Sequence, residues 1–444
     1  MASTYLSRTL GTSTNTYKGT VSVWLKRSGL SSDQVIYGNY TSGTQRGKLV
    51  IAGDSKLMYY QNDGGVNTIK LETNRLFRDV GAFYHIVLSV DTTQATDSDR
   101  VKLYVNGVQE TSFTTATYPS QNTVFYLNAN SVLNYIGQEG NSSDYWDGSM
   151  THMNVIDGTA YNADTFGESD SVSGIWKPKT SPSVTYGTNG FFLKMENSGA
   201  MGTDSSDNGN NFTVSGTLTQ NVDTPSNNFT TLNPLLSMAN SVFSGGTLSN
   251  GNTTHSNSSG TVNKISTLGM TSGKFYAEVK YTGGGNYNGV GFCSEPFLSG
   301  STTLANSTHG ASLTYTDVYN GGVAYGTYAT PSTNDIIGIA LDIDNGYAYF
   351  SNNGVWGNSG VPTSGSTGTG GFLISRTDAN STYFFASEQN ATPGTRGAEW
   401  NFGQGYFGTT QVASAGTAPS EGGIFEFDCP NGYQALCTKG INSF

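Results

Sequence analysis

Two short runs hold carboxylates at a spacing that glycoside chemistry can use: Glu168-Ser169-Asp170 and Glu426-Phe427-Asp428. A strand reading Glu-x-Asp-x-x-Glu puts its first two carboxylates on one face, ready to serve as nucleophile and acid/base. Neither run is completed, because Ser173 and Asn431 stand where the general acid is needed. Glu168 also falls in a Gly, Ser and Asp region that reads as a loop, so solvated surface carboxylates are the favoured reading. The four histidines, His85, His152, His255 and His309, show no metal-binding spacing. His85 lies on the strand face opposite an apolar set, where a hydrogen bond is expected, and His152 belongs to the strand after Trp146. Ser364 has no glycine two residues before it, so the stretch Gly360 to Gly365 is not a nucleophile elbow. No phosphate-binding loop is present. Asp97 and Asp99, in the Ser- and Thr-bearing run from Asp91 to Asp99, offer oxygen ligands of the kind calcium takes. Asx turns in a polar hairpin loop are the favoured alternative there. The series Asp342-x-Asp344-Asn345-Gly346 likewise reads as turn chemistry. Three cysteines are too few for a disulfide framework. Cys429 and Cys437 have the option of pairing, with idle thiols favoured, and Cys293 sits in the core-strand run Val290 to Cys293. The expectation is a protein that is not an enzyme, with no catalytic residues, no metal and no cofactor.

Aromatic and amide side chains are the remaining source of chemistry. Sugar rings stack their apolar faces on Tyr and Trp, while their hydroxyls bond Asn, Asp and backbone groups. Tyr287 and Asn288 occur in or beside the glycine-rich stretch Gly283 to Gly289. Tyr319 and Asn320 precede Gly321-Gly322, and Arg376 lies near Asp378. These five are the candidate ligand-binding residues, against the simpler reading that Tyr and Asn decorate turns. Trp24, Trp146, Trp176, Trp356 and Trp400 each abut a strand pattern and are expected in the core.

The elements that must hold these groups are strands. Val21, Val23 and Leu25 alternate with Ser22, Trp24 and Lys26. Ile86, Leu88 and Val90 alternate with His85, Val87 and Ser89, and Val101, Leu103 and Val105 with Lys102 and Tyr104. A period of two puts each set on one face of a sheet. Asn106-Gly107 is a strong hairpin turn, with Val108 to Phe113 expected as the returning strand. Further on, Phe275 to Tyr281 alternates, Ile336 to Ile343 suits a central strand, and turns at Asp344-Asn345-Gly346 and Asn352-Asn353-Gly354 lead into Tyr347 to Phe350 and Val355-Trp356. No segment carries a convincing helical period, and no repeat marks a solenoid or propeller. Charged residues are 12% and aromatics 12% of the 444, which excludes disorder. The net charge of −11, with no basic run, argues against nucleic acid and against an anionic membrane surface. No stretch approaches 18 apolar residues, so no membrane insertion is expected. The N-terminus lacks the apolar run of a secretion signal, so synthesis without export by the usual route is expected. The tract Gly357 to Gly371 reads as a flexible loop.

Prolines and small polar residues between Asp223 and Leu236 mark a junction. The expected organisation is one domain over 1–230, a linker over 231–240, and a second domain over 241–444 with a C-terminal extension. Through Val21 to Arg27, Tyr84 to Asp91, Val101 to Gly107 and Tyr145 to Met150, the first domain resembles the concanavalin A-like (LamG/pentraxin-type) jelly roll. Through Gly273 to Val279, Ile337 to Gly346 and Tyr349 to Gly354, the second resembles a SPRY domain, in which loops at one end of the sandwich bind partners. The fold class expected is all-β: two tandem antiparallel β-sandwiches. The order of the two domains, the junction at 227–235 and the tail Phe425 to Thr438 resemble bacteriophage tail-fibre or lectin-like virion proteins. That resemblance implies location on the phage virion, at tail or head, and recognition of a host cell-surface glycan or protein through β-sandwich loops. It implies other virion structural proteins as partners, and a homo-oligomer. The alternative is a head or tail decoration or assembly subunit that binds only other virion proteins. No heptad run or β-helical repeat supplies a fibre shaft.

Overall fold

The computed structural model describes residues 4–171, 173–238, 244–282, 288–299, 303–328, 331–374, 381–391 and 396–444. The chain is all-β, and its two compact units, Met1–Gln220 and Asn221–Phe444, are each a sandwich. Among the described residues the one α-helix is the short Thr438–Ile441, and no helix is long and apolar enough to cross a membrane.

In the first unit an eight-stranded sheet faces a six-stranded one. The six-stranded sheet runs, in spatial order, Phe191–Leu193, Gly148–Asp157, Lys18–Arg27, Tyr84–Asp91, Val101–Val105 and Val108–Glu110, all antiparallel. Alternation decides which residues enter the core: Val21, Val23, Leu25, Ile86, Leu88, Val90, Val101, Leu103 and Val105 all pack between the sheets with Leu49, Tyr59 and Leu71 from the opposite layer. Each such side chain contributes about 1.5–3 kcal/mol on burial. The Asn106-Gly107 turn has φ of 49° and 85°, as a type I′ hairpin requires. The returning strand is shorter than expected. It ends at Glu110, and Phe113 opens Phe113–Thr117, which pairs with Val66–Leu76 in the other sheet. Buried Glu110, bonded by Arg75 at 2.8 Å, marks the crossing.

In the second unit the larger sheet carries Thr254–Asn257, Arg396–Asn401, Lys274–Tyr281, Ile336–Asp342 and Tyr347–Asn352 as neighbours, with Ile336–Asp342 in its interior as expected. The facing sheet runs Thr261–Ile265, Tyr383–Asn390, Asn288–Ser294, Gly310–Thr314, Asp317–Asn320 and Val323–Thr327. Phe275, Ala277, Val279, Phe292, Ile339, Phe385 and Trp400 fill the space between them. Cys293, Cys429 and Cys437 are buried free thiols.

Two expectations are corrected here. The second unit begins ten residues before the expected end of the first domain, and the start of the expected linker lies in its core. Phe229 and Leu232 are 1% and 0% exposed, and the Thr230 and Leu232 N–H groups donate to Leu436 and Asn252. Pro225 lies in the turn closed by Thr224 and Asn227 and Pro234 opens a 3-10 turn, and residues between them find tertiary partners. The tract Gly357 to Gly371, expected as a loose loop, folds into defined turns packed against the rest of the second unit. It forms 3-10 turns at Gly357–Ser359 and Pro362–Thr367, and the Pro362 carbonyl accepts from the Tyr433 hydroxyl at 3.0 Å. Its small residues permit close approach: a Cβ on Gly368, whose φ is +60°, would lie 2.1 Å from the Tyr347 ring.

Candidate functional site

The outward face of the six-stranded sheet in the first unit carries His85, Val87, Ser89 and Asp91 from one strand and Lys102 and Tyr104 from the next. Ser89 stands opposite Lys102 and Val87 opposite Tyr104. Part of this face is covered by the chain between residues 159 and 186. Ala163 and Phe166 bury themselves against Val87 and Ile156, with Tyr104, Tyr161 and Trp176 packed around them.

A histidine fastens that cover. His85 is fully buried and stacks on Trp24 with ring centroids 4.6 Å apart. Its Nδ1 accepts the Trp176 indole N–H at 3.0 Å, which leaves Nε2 to donate to Ser22 Oγ at 2.9 Å. Burial pulls its pKa down to about 3, so the ring stays neutral and the tautomer is set by its two partners. The hydrogen bond expected of His85 is therefore present, and its partner Trp176 lies on the covering segment. Gly167 lets that indole approach, because a Cβ there would lie 2.4 Å from the Trp176 ring.

Where the cover ends, a pocket of about 540 Å³ remains open. It is lined by Ser89, Asp91, Gln94, Asp99, Lys102, Tyr104, Ala160, Tyr161, Asn162 and Thr165. Tyr161 is its rigid wall: its ring meets Phe166 edge-on at 6.3 Å, its N–H donates to Thr20 Oγ1 at 2.8 Å, and its hydroxyl accepts from the Thr185 N–H at 3.3 Å. Tyr104 is half-buried, and that burial raises its phenol pKa, with Lys102 opposing and Asp164 assisting. Asp91 is locked in place. It accepts from the Thr93 N–H at 3.1 Å, the Gln94 amide at 2.8 Å and Lys18 Nζ at 3.1 Å. Burial pushes its carboxyl upward, but these donors outweigh burial and hold it below the usual range. Asp99 pairs with Lys102 at 2.9 Å. The volume falls within the usual range for small-ligand sites, about 300–1,000 Å³. Aromatic walls with hydroxyls, amides and charges between them suit a polyhydroxylated ring.

The residues singled out from sequence do not gather there. Tyr287 and Arg376 lie outside the described residues. Asn288 is 1% exposed at the start of its strand, with its amide directed to the Gly397 carbonyl at 3.4 Å. Asn320 is buried and donates to the carbonyls of Ser307 and Gly310 at 3.3 and 2.8 Å. Tyr319 is half-exposed, opposite Ser312 and Ala324. Gly289 lies inside the strand Asn288–Ser294, and Gly321 and Gly322 follow the end of Asp317–Asn320, so both amides brace backbone rather than face solvent. Asp97 accepts the N–H of its neighbour Ser98 at 2.7 Å. Among the described residues no three His, Cys, Asp or Glu side chains are placed to hold a metal. Glu168 lies in a short strand, Gly167–Ser169, not in a loop as expected, and its neighbour Asp170 holds Lys177 at 2.9 Å. Glu426 and Asp428 accept the N–H groups of Ala413 and Thr417 at 2.8 and 2.7 Å.

Residues 2–164 match the family model described as Concanavalin A-like lectin/glucanases superfamily. The first unit has that fold, and the matched segment includes every pocket residue but Thr165. No curated protein matches the chain. Similar solved structures include the SPRY domain of human HERC1, at 15% identity and TM-score 0.27, covering 33% of this chain and 87% of that one. A heptameric SAP-like pentraxin from Limulus polyphemus matches at 16% and 0.26, over 36% and 71%. Domain 4 of the arabinanase AbnA from Geobacillus stearothermophilus, in complex with arabinotriose, matches at 17% and 0.25, over 33% and 63%.

Proposed function

We propose that the chain is a non-enzymatic glycan-binding protein of the bacteriophage virion surface, and that the pocket at Tyr104 and Tyr161 is its sugar site. The observation that carries this reading is a polar pocket walled by a braced tyrosine, on a concanavalin A-like fold that often binds carbohydrate. Binding without bond cleavage is supported by the state of the carboxylates. A general acid needs a raised pKa, whereas Asp91 is held low by its donors. The Glu-x-Asp runs are occupied by backbone N–H groups and a lysine. The virion assignment rests on the sequence resemblance described above. It brings other virion proteins and further copies of the chain as partners, with avidity multiplying weak single contacts.

Glycan-array binding of the full chain is the test. Binding to a defined set of saccharides, weakened in Tyr161→Ala, is expected. A chain that binds no glycan yet assembles into particles supports the decoration-subunit alternative instead. Release of sugar from a polysaccharide by the purified protein overturns the non-enzymatic reading.

A further inference from the structure

The charges of the pocket narrow the class of sugar it can take. Its lining holds two carboxylates, Asp91 and Asp99, and one ammonium, Lys102. That ammonium already has a partner, Asp99, at 2.9 Å. A carboxylate on an incoming sugar would have to share Lys102 with Asp99, which stays beside it as a like charge. Asp91 lies beside the site as well, held by Thr93, Gln94 and Lys18, and the Lys18 ammonium offsets its charge, so Asp99 is the carboxylate that decides. Asp164 adds a third negative charge near Tyr104. The uncharged lining groups, Ser89, Tyr104, Asn162 and Thr165, can serve sugar hydroxyls without any such penalty. The net charge of −11 also repels polyanions before contact.

We propose that this pocket takes an uncharged sugar residue in preference to uronic and sialic acids, with Asp99 as the residue that sets the preference. The proposal rests on the glycan reading above and adds charge selectivity to it. Two like charges about 4 Å apart in water cost roughly a factor of five in affinity, and Asp99 is placed to impose that cost on an acidic sugar.

The experiment uses the full chain on an array of neutral oligosaccharides, ending in a hexose or an N-acetylhexosamine, printed beside matched ones ending in glucuronic or sialic acid. Wild type is expected to bind neutral ends about fivefold more tightly than matched acidic ones. Asp99→Asn, which keeps the shape and removes the charge, is expected to shift the acidic-to-neutral binding ratio about fivefold toward acidic ends. Equal wild-type binding to both classes, or an unchanged ratio in Asp99→Asn, overturns the selectivity and leaves the glycan reading standing. Absence of binding to either class, or binding of undiminished strength in Tyr161→Ala, overturns the glycan reading at this pocket and the selectivity with it.

Discussion

The two units treat the outer faces of their sheets in opposite ways. In the first, the cover over the six-stranded sheet is fastened by the neutral His85 and stops short, leaving the pocket open. In the second, a segment packs over each sheet, and each is fastened by a buried glutamate that accepts two consecutive backbone N–H groups. Glu278 takes those of Glu426 and Phe427, both at 2.8 Å, and the Tyr276 hydroxyl at 3.1 Å. Glu388 takes those of Leu304 and Ala305. Beneath these segments lie Phe425 and Tyr433 on one side and Phe297 and Leu304 on the other. A face closed by a two-toothed carboxylate clamp is built for rigidity, whereas a face closed only in part keeps room for a ligand.

The largest effect is expected at a clamp. Glu278→Ala strands two buried N–H groups and a hydroxyl, and should cost the second unit about 4 kcal/mol, measurable by urea denaturation. A loss below about 1 kcal/mol would mean that the segment holds without the clamp. In the first unit, Tyr161→Ala should weaken glycan binding about tenfold, through lost stacking and wall rigidity, with titration calorimetry as the check. The pH response should separate the units. Burial pulls His85 down to about 3, so the stability it supports is present above pH 6.5 and is lost as pH falls below that. Burial pushes Glu278 and Glu388 up to about 7, so their contribution is full below pH 4.5 and is lost as pH rises through 7. His255, also pulled down to about 3, offsets one of the two glutamates. Between pH 7 and pH 5 the first unit should therefore lose stability while the second holds or gains. Hydrogen-exchange mass spectrometry of peptides from each unit reads this directly, and parallel trends would erase the contrast. The smallest effect is expected of Trp176→Phe, which removes the indole donor to His85 and part of the ring packed on Gly167, at about 1 kcal/mol in the first unit.

Much of the architecture was legible in the sequence. The alternation in Tyr84 to Val90 and Val101 to Val105 named the inward residues correctly, and Asn106-Gly107 named the turn. Those signals are local, because side-chain direction and positive φ are properties of a few adjacent residues. The candidate site was not legible in this way. Asn288 and Asn320 carry the polar character of loop residues, yet they brace backbone carbonyls inside strands. Gly357 to Gly371 has the composition of a flexible tract, yet it packs against Tyr347 and Tyr433. Composition reports what a residue can do alone, while these roles depend on what lies opposite.

From the sequence alone followed the strands, the turns, the inward set and the absence of a completed catalytic carboxylate motif, all of which rest on spacing along the chain. Tertiary structure alone decided that Tyr161, far along the chain from Asp91 and Tyr104, closes a pocket with them. It also decided that a histidine and two glutamates are the fasteners of the covering segments. Alternation tells a residue which way to point, but only the packing of distant segments determines whether it meets a cover or open space.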